Sequence, residues 1–367
     1  MGETALVMAG TAALLSGGLT PVLIRLATRI GLIDSPRTGK IHLKPTPTGG
    51  GLALFVAFFG TLWSAVLVPG PGRVDELSGL AGLTVAAALI VALGLYDDAR
   101  GAAAVHKLAV QIPVGLVIYL AGFRVERLTN PFGSEVLLGP LALPLTLLWV
   151  VAVINAVNLI DGLDGLATGI ALIAALALAA VGWARGETLV LILAATLAGS
   201  LVGFLGFNFP PARIFLGDTG SLLVGVILSA ISLVENRKAT LALALVVPIV
   251  AMLVPILDTL LAIVRRVRNG HPPFRGDTEH LHHRLLMLGL TQRQAVLLLW
   301  VSSAYFGLLA FVLSVLPKQQ VLWAALLLAA GVYAALAYLR RLERRTTARQ
   351  SRTPAEQGGR RLGTPRR

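Results

Sequence analysis

Residues 155–166 read NAVNLIDGLDGL, and they interrupt an otherwise apolar part of the chain with carboxamides, carboxylates and glycines. On a continuous helix, positions 155, 158, 161 and 164 would drift round half of the cylinder and could not share one face. The glycines therefore predict that the helix ends near Asn158 and that a tight loop turns both carboxylates toward one point. Because such groups are costly beside hydrocarbon without a partner, we interpret this stretch as a site rather than as a polar helix cap.

The composition around this stretch is that of a membrane protein. Of the 367 residues, 56% are hydrophobic and only 13% are charged, and the mean hydropathy is +0.81. A soluble domain would be about a quarter charged. The chain has no cysteine, which excludes disulfides, thiolate chemistry and cysteine-ligated metals.

Apolar runs of about 20 residues recur along the chain and predict an all-α, polytopic membrane protein with about eleven transmembrane helices. Placing the N-terminus outside and the C-terminus in the cytoplasm puts most of the 31 Lys and Arg residues on the inner side. The predicted spans are 5–27, 47–68, 78–96, 105–122, 139–157, 167–183, 187–207, 217–234, 240–264, 293–316 and 319–339.

This topology divides the chain into an integral membrane domain, 1–339, and a basic tail, 340–367. The tail contains ten Arg residues and no apolar period, so we expect it to be disordered and to lie on anionic membrane lipids. No aromatic or folded module accompanies it, so we expect no nucleic acid partner. The predicted cytoplasmic loops are 28–46, 97–104, 158–166, 208–216 and 265–292.

The polar clusters all fall on the predicted cytoplasmic face. Asp97 and Asp98 are adjacent, so their charges repel unless a cation lies between them, and a hard divalent ion such as Mg²⁺ or Mn²⁺ suits oxygen ligands. Asp218 lies between two glycines at a predicted helix start, where backbone N–H groups favour anions. A solvated helix end and a simple helix cap are the plainer explanations of these two clusters.

Residues 280–284 read HLHHR, and three histidines this close could form a zinc site. No carboxylate or cysteine pattern of the zinc type accompanies them, so phosphate-oxygen donors are the better interpretation. Asp258, about two turns inside the ninth predicted helix, keeps two explanations: a pair with Arg265 or another polar helix contact, and a catalytic role.

Carboxylates for a metal, a helix start for phosphate, and His and Arg for developing charge are the groups that phosphoryl transfer needs. An ion-coupled transporter would also carry acids in its helices, but near the midplane rather than at one surface.

Five motifs in order, from about Gly31 to Leu290, resemble the polyprenyl-phosphate N-acetylhexosamine-1-phosphate transferases, especially the branch that loads N-acetylglucosamine-1-phosphate onto undecaprenyl phosphate. They are 34–51 with Lys40 and His42, the acidic pair at 94–98 with Lys107 and Gln111, the 155–166 stretch, the 215–221 segment FLGDTGS, and the 280–283 segment HLHH. The 37–40 segment departs from the family pattern, in which Arg and Lys are adjacent before the His.

The resemblance implies a role for each matching residue. Asp218 would ligate Mg²⁺, and Asp97 and Asp98 would lie at the metal and the lipid phosphate. Asn158, Asp161 and Asp164 would bind the uridine end, and Phe215 would stack on uracil. Asn208, Lys107, His282 and His283 would hold phosphates, with His282 and His283 counted among the catalytic residues. The remaining implied substrate-binding residues are Lys40, His42, Asn155, His280 and Arg284.

The resemblance also implies the reaction: N-acetylglucosamine-1-phosphate passes from UDP-N-acetylglucosamine to undecaprenyl phosphate and UMP is released, the first membrane step of a cell-envelope glycopolymer. The expected location is the plasma (inner) membrane, with the active site on its cytoplasmic face. The muramyl-pentapeptide transferase is the alternative, but its three consecutive histidines are split here by Leu281. The exact UDP-sugar, the glycopolymer pathway and the oligomeric state stay open, a homodimer included. The sequence also leaves open whether Asp97 deprotonates the lipid phosphate or attacks first as a nucleophile.

Overall fold

The computed structural model describes residues 1–36, 44–67, 77–129, 135–234, 250, 252–268 and 281–316, with helical positions at 320, 323, 326, 330 and 333. Residues Met1–Val315 form one compact unit and Leu316–Arg367 form a second. The predicted boundary between 339 and 340 lies outside the described residues and stays a prediction.

The first unit is a bundle of helices with two small β-hairpins. The helices are α1 Gly2–Ile30, α2 Gly51–Leu67, α3 Leu77–Arg100, α4 Ala104–Leu120, α5 Ala142–Ile160, α6 Leu166–Arg185, α7 Thr188–Asn208, α8 Gly217–Val234, α9 Leu253–Arg268, α10 Leu281–Met287 and α11 Gln292–Val315. The antiparallel strand pairs are β1 Ile33–Asp34 with β2 Thr46–Pro47, and β3 Arg127–Thr129 with β4 Glu135–Leu137.

Seven helical segments of the described chain are long and apolar enough to cross a membrane, judged by length and composition. They correspond to α1, α3, α5, α6, α7, α8 and α11, while α2 and α4 are shorter apolar helices. The protein is therefore a multi-pass helical membrane protein. The predicted span 240–264 is described only at 250 and from 252 onward, and 319–339 lies largely outside the described residues, so the count of eleven and the orientation stay predictions.

Several predicted loops are partly helical. α3 continues to Arg100, so Asp97 and Asp98 lie in its last turn, and α5 continues through Ile160, two residues beyond the predicted end. The predicted loop 265–292 contains the end of α9 and the whole of α10. The two hairpins were not predicted either; Pro45 and Pro47 disfavour helix beside β2.

α8 is the central helix of the bundle. Every residue from Thr219 to Val234 is buried, as expected for a helix that is apolar on all sides. It packs against α3 and α5 most extensively, and also against α2, α6 and α7. The residues at the start of α8 are therefore surrounded by the ends of other helices.

Glycine allows α2 and α3 to approach the first turn of α8 at backbone distance. A Cβ atom added to Gly51 would lie 2.3 Å from the Gly220 nitrogen, and one added to Gly94 would lie 2.4 Å from the Thr219 Cα. Real side chains cannot occupy such positions unless the helices move apart.

We expect Gly51→Ala to lower the thermal stability of the purified protein, because α8 must shift to accept the methyl group; overpacking of this kind costs about 1–3 kcal/mol. Gly60→Ala, on the same helix with nothing within 4 Å of its added Cβ, is the matched control and should unfold at the wild-type temperature or slightly above. Equal melting temperatures for Gly51→Ala and wild type would show that this contact does not limit the packing.

Candidate functional site

A pocket of about 440 Å³ lies where α3, α5 and α7 end and α8 begins. It contains most of the predicted site residues that the structure describes, although they come from distant parts of the sequence. The lining residues are Asp34, Thr48, Asp97, Asp98, Asp161, Gly162, Leu163, Asp164, Asn208, Phe215, Leu216, Gly217, Asp218, His283 and Gln292.

Lys107 joins two of the predicted metal ligands. Its ammonium nitrogen lies 2.6 Å from Asp97 Oδ2 and also contacts Asp218 Oδ2. Lys107 is on the first turn of α4, Asp97 on the last turn of α3 and Asp218 on the first turn of α8. One cation therefore contacts two carboxylates that the fold brings together from separate helices.

Asp98 serves as the N-terminal cap of α8. Its Oδ1 accepts a hydrogen bond from the Asp218 N–H at 2.8 Å, and its Oδ2 accepts from the N–H and the hydroxyl of Thr219 at 3.2 and 2.6 Å. A negative group at a helix N-terminus satisfies backbone donors that have no partner inside the helix. Asp98 thus orients Asp218, whereas its predicted contact with the metal and the lipid phosphate stays a prediction.

The carboxylates of the pocket are close enough to disturb one another. Burial, and next the negative charges of Asp218, Asp98 and Asp164, raise the pKa of Asp161 well above its usual value. Because the folded chain favours the protonated form of Asp161, its contribution to stability is present at acidic pH and is lost as the pH rises toward neutrality. A bound cation would reverse that penalty.

The donor set fits a hard divalent cation. Carboxylate oxygens from α3, the 161–165 loop and α8 surround the pocket, and oxygen ligands are those that Mg²⁺ prefers. Within the described ranges, no group of three or more His, Cys, Asp or Glu side chains is already arranged to hold a metal ion. The reason is visible in the contacts: Asp97 and Asp218 meet Lys107, while Asp98 meets backbone N–H groups.

Asp164 and Asn208 fix the 209–216 segment that carries Phe215. Asp164 Oδ2 accepts the Ala212 N–H at 2.9 Å. Asn208 donates to the Ile214 carbonyl at 3.0 Å and accepts from the Thr168 hydroxyl at 2.6 Å. Both residues line the pocket, but these contacts hold its wall in place.

Two predicted substrate residues have partners inside the bundle instead of lying on the pocket wall. Asn155 donates to Gln111 Oε1 at 2.7 Å, and this pair joins α5 to α4 one turn beyond Lys107. Asn158 donates to the Ser221 hydroxyl at 2.9 Å, which joins α5 to the first turn of α8. The structure therefore places both beside the site, on the helices that position Lys107 and Asp218.

The remaining predicted residues divide into two groups. Arg284 lies on α10 but does not line the pocket, whereas His283 of the same helix does. Lys40, His42, His280 and the side chain of His282 lie outside the described residues.

The structure also adds residues that sequence reasoning missed. Thr48 and Gln292 line the pocket, and Arg293 donates to the Pro210 carbonyl at 3.0 Å, from the start of α11 to the wall segment. Asp34 lines the pocket too, and only its place in the first motif could have pointed to it. Thr48 precedes the Gly49–Gly51 run, which is a weak signal of close backbone approach; Gln292 and Arg293 carry no local signal.

Fold and pocket together define a class: a multi-pass membrane protein with a carboxylate-lined polar pocket at one end of its helical bundle. Residues 80–236 match the model of glycosyl transferase family 4. The chain is 38% identical over 310 residues to a probable undecaprenyl-phosphate N-acetylglucosaminyl 1-phosphate transferase of Bacillus subtilis, covering 84% of this chain and 83% of that one.

Two further relatives carry similar names. A decaprenyl-phosphate N-acetylglucosaminephosphotransferase of Mycolicibacterium smegmatis is 39% identical over 81% of this chain and 79% of its own length. The undecaprenyl-phosphate alpha-N-acetylglucosaminyl 1-phosphate transferase of Escherichia coli K12 is 29% identical over 76% of both chains. The chain belongs to this family of polyprenyl-phosphate N-acetylhexosamine-1-phosphate transferases, as its motifs predicted.

We expect Asp98→Ala to destabilise the protein more than Asp97→Ala does. The first change removes three hydrogen bonds to the start of α8, and loss of a helix cap costs about 0.5–2 kcal/mol. The second removes one hydrogen bond from the Ala102 N–H and one contact with Lys107, which keeps its contact with Asp218. Melting temperatures of the two variants in the same detergent measure the difference. A larger fall in melting temperature for Asp97→Ala than for Asp98→Ala would show that the capping role of Asp98 is wrong.

Proposed function

We propose that this protein transfers N-acetylglucosamine-1-phosphate from UDP-N-acetylglucosamine to undecaprenyl phosphate and releases UMP. The observation that supports this most is the contact of Lys107 with Asp97 and Asp218, which line one pocket on helices that carry the family motifs. The names of the relatives support the sugar phosphate and a polyprenyl phosphate acceptor. The Bacillus and Escherichia relatives are named for undecaprenyl phosphate, which is the acceptor proposed here. The Mycolicibacterium relative is named for decaprenyl phosphate.

Asp218 and Asp97 are the residues that would hold Mg²⁺, with Mn²⁺ as an alternative. When bound, the ion neutralises phosphate oxygens and the developing negative charge. Lys107 lies between the same two carboxylates and can turn its ammonium group to a phosphate oxygen once they have another cation. Asp161 and Phe215 both line the pocket and would bind the uridine end.

The reaction is a displacement at phosphorus. A lipid phosphate oxygen attacks the sugar-linked phosphorus of the UDP-sugar, the bond from that phosphorus to the bridging oxygen breaks, and the bridging oxygen leaves on UMP. Since the second pKa of a phosphomonoester is about 6, the acceptor is largely dianionic at neutral pH. The chain therefore needs to orient and neutralise the reactants more than to deprotonate the nucleophile.

The proposed location is the plasma membrane with the pocket on its cytoplasmic side. Most Lys and Arg residues fall on that side in the predicted topology, and the Arg-rich segment 340–367 would lie on anionic lipids there. The ends of α3, α5 and α7 and the start of α8 meet at one pocket. In the predicted topology, odd-numbered spans end and even-numbered spans begin on the cytoplasmic side. The meeting of these helix ends at one pocket agrees with that alternation.

The proposal is tested with purified protein, undecaprenyl phosphate, Mg²⁺ and a panel of UDP-sugars, with UMP release as the measurement. We expect turnover with UDP-N-acetylglucosamine and formation of a lipid diphosphate sugar. Turnover confined to UDP-N-acetylmuramyl-pentapeptide would favour the muramyl branch, and no turnover with any nucleotide sugar would refute the proposal.

We expect Asp218→Asn to lower metal-dependent UMP release by about 10²–10³-fold, because removing one oriented charged group at the reacting phosphates costs that much. Folding should persist, since an amide keeps the shape of the side chain. Glu126→Gln is the matched control: this carboxylate pairs with Arg124 at 2.6 Å, beyond the far end of α4 from Lys107, and its loss should leave turnover unchanged. Wild-type UMP release by Asp218→Asn at limiting Mg²⁺ would contradict the assignment.

A further inference from the structure

α10 is a short helix, Leu281–Met287, that brings the histidine motif to the pocket. His283, its third residue, lines the pocket together with Asp161 and Asp218. A helix of this length is too short to be stable alone in water, so its position depends on contacts with the rest of the bundle. Any group that fixes its first turn also fixes His283.

The C-terminal end of α10 is anchored through α11. The chain turns at Gly289, whose φ of +91° is in the left-handed region, and α11 then begins after a reciprocal cap. In that cap the Gln294 N–H donates to the Thr291 hydroxyl at 3.3 Å, and the Thr291 N–H donates to Gln294 Oε1 at 2.9 Å. This is the capping-box arrangement, and it holds the link between the two helices.

The N-terminal end of α10 is held by Asp258. Asp258 lies on α9, 7% exposed, and its Oδ1 accepts the Leu281 N–H at 2.9 Å. Leu281 is the first residue of α10, so this N–H has no acceptor within the helix. The contact joins residues that are 23 positions apart and lies two residues from His283.

A buried carboxylate on an apolar helix needs a compensating interaction, since an unpaired one is costly. The partial positive charge at the start of α10 and the direct hydrogen bond provide one. The contact with Asp258 lies at the N-terminal end of α10, and the anchor at Gly289 lies beyond its C-terminal end. These two restraints, together with the packing of Leu281, Leu285 and Leu286 against the core, hold α10 beside the pocket.

We propose that Asp258 is a positioning residue of this site: its carboxylate fixes the first turn of α10 and so holds His283 against the pocket. Its role in turnover rests on the proposed function, whereas its role in holding α10 does not. Of the two explanations that the sequence left open, this is a polar helix contact that acts on the site through α10.

The test compares Asp258→Ala and Asp258→Asn in the full-length protein by two measurements. The first is amide hydrogen exchange of peptides covering 281–290, which needs no substrate. The second is steady-state kinetics with UDP-N-acetylglucosamine and undecaprenyl phosphate. The control is Ser303→Ala, a buried polar residue on α11 whose hydroxyl has no hydrogen-bond partner among the described residues.

For Asp258→Ala we expect exchange in α10 to rise about tenfold, as loss of a cap implies. We expect kcat/KM for the nucleotide sugar to fall by about 10–100-fold, because a displacement of about 1 Å at a site costs that much, with KM for the lipid phosphate unchanged. Asp258→Asn keeps an acceptor oxygen and should recover most of both losses. Ser303→Ala should match wild type.

Two results would overturn the inference: wild-type exchange of α10 in Asp258→Ala, or losses in Asp258→Asn as large as those in Asp258→Ala. Failure of the proposed function looks different. In that case the wild-type protein shows no turnover with any UDP-sugar, while the exchange measurement still reports whether Asp258 holds α10.

Discussion

The site depends on the direct backbone contact between the first turn of α8 and two other helices. Gly51 and Gly94 have no side chain to separate them from Gly220 and Thr219, so the ends of α2 and α3 lie against the start of α8. That proximity allows Asp98 to reach the N–H groups of Asp218 and Thr219. It also brings Asp97, the neighbour of Asp98, to the same cation as Asp218. Packing of small residues, rather than an attraction between charges, therefore creates the acidic cluster.

The cluster in turn creates a requirement for positive charge. Asp161 borders the same pocket as Asp98, Asp164 and Asp218, and their negative charges disfavour its ionisation. Lys107 supplies one positive charge from α4, and the Gln111–Asn155 pair joins that helix to α5 one turn further along. A divalent ion, together with the phosphate groups of a substrate, would change the balance of charge in the pocket without rearranging the helices. The pocket is in this respect suited to a substrate that brings its own charge and counter-ion.

The sequence predicted the helical class, the ends of most spans within a few residues, and the set of motifs that meets at the pocket. Those features depend on local hydrophobicity and on glycine, both visible along the chain. The partners of the polar residues could not be predicted. Asp98, Asp164 and Asn158 were all expected at metal or substrate, and each has a hydrogen bond to another helix or loop whose distance in sequence is 48 residues or more. Such pairs follow from the three-dimensional arrangement of helices, which local patterns do not determine.

Some carboxylates of this bundle hold backbone groups in place, and others contact Lys107 at the pocket. Both uses have one physical origin. In an apolar bundle, the first N–H groups of each helix and the turns between helices need acceptors, and water is scarce near them. Asp98, Asp164 and Asp258 provide these acceptors to α8, to the 209–216 segment and to α10. Because these hydrogen bonds are to backbone groups, each of the three carboxylates joins one part of the fold to another. Asp97 and Asp218 both contact the ammonium group of Lys107, and Asp97 also accepts the Ala102 N–H. The carboxylates of Asp98, Asp164 and Asp258 thus shape the site, and the two that contact Lys107 are those proposed for the chemistry.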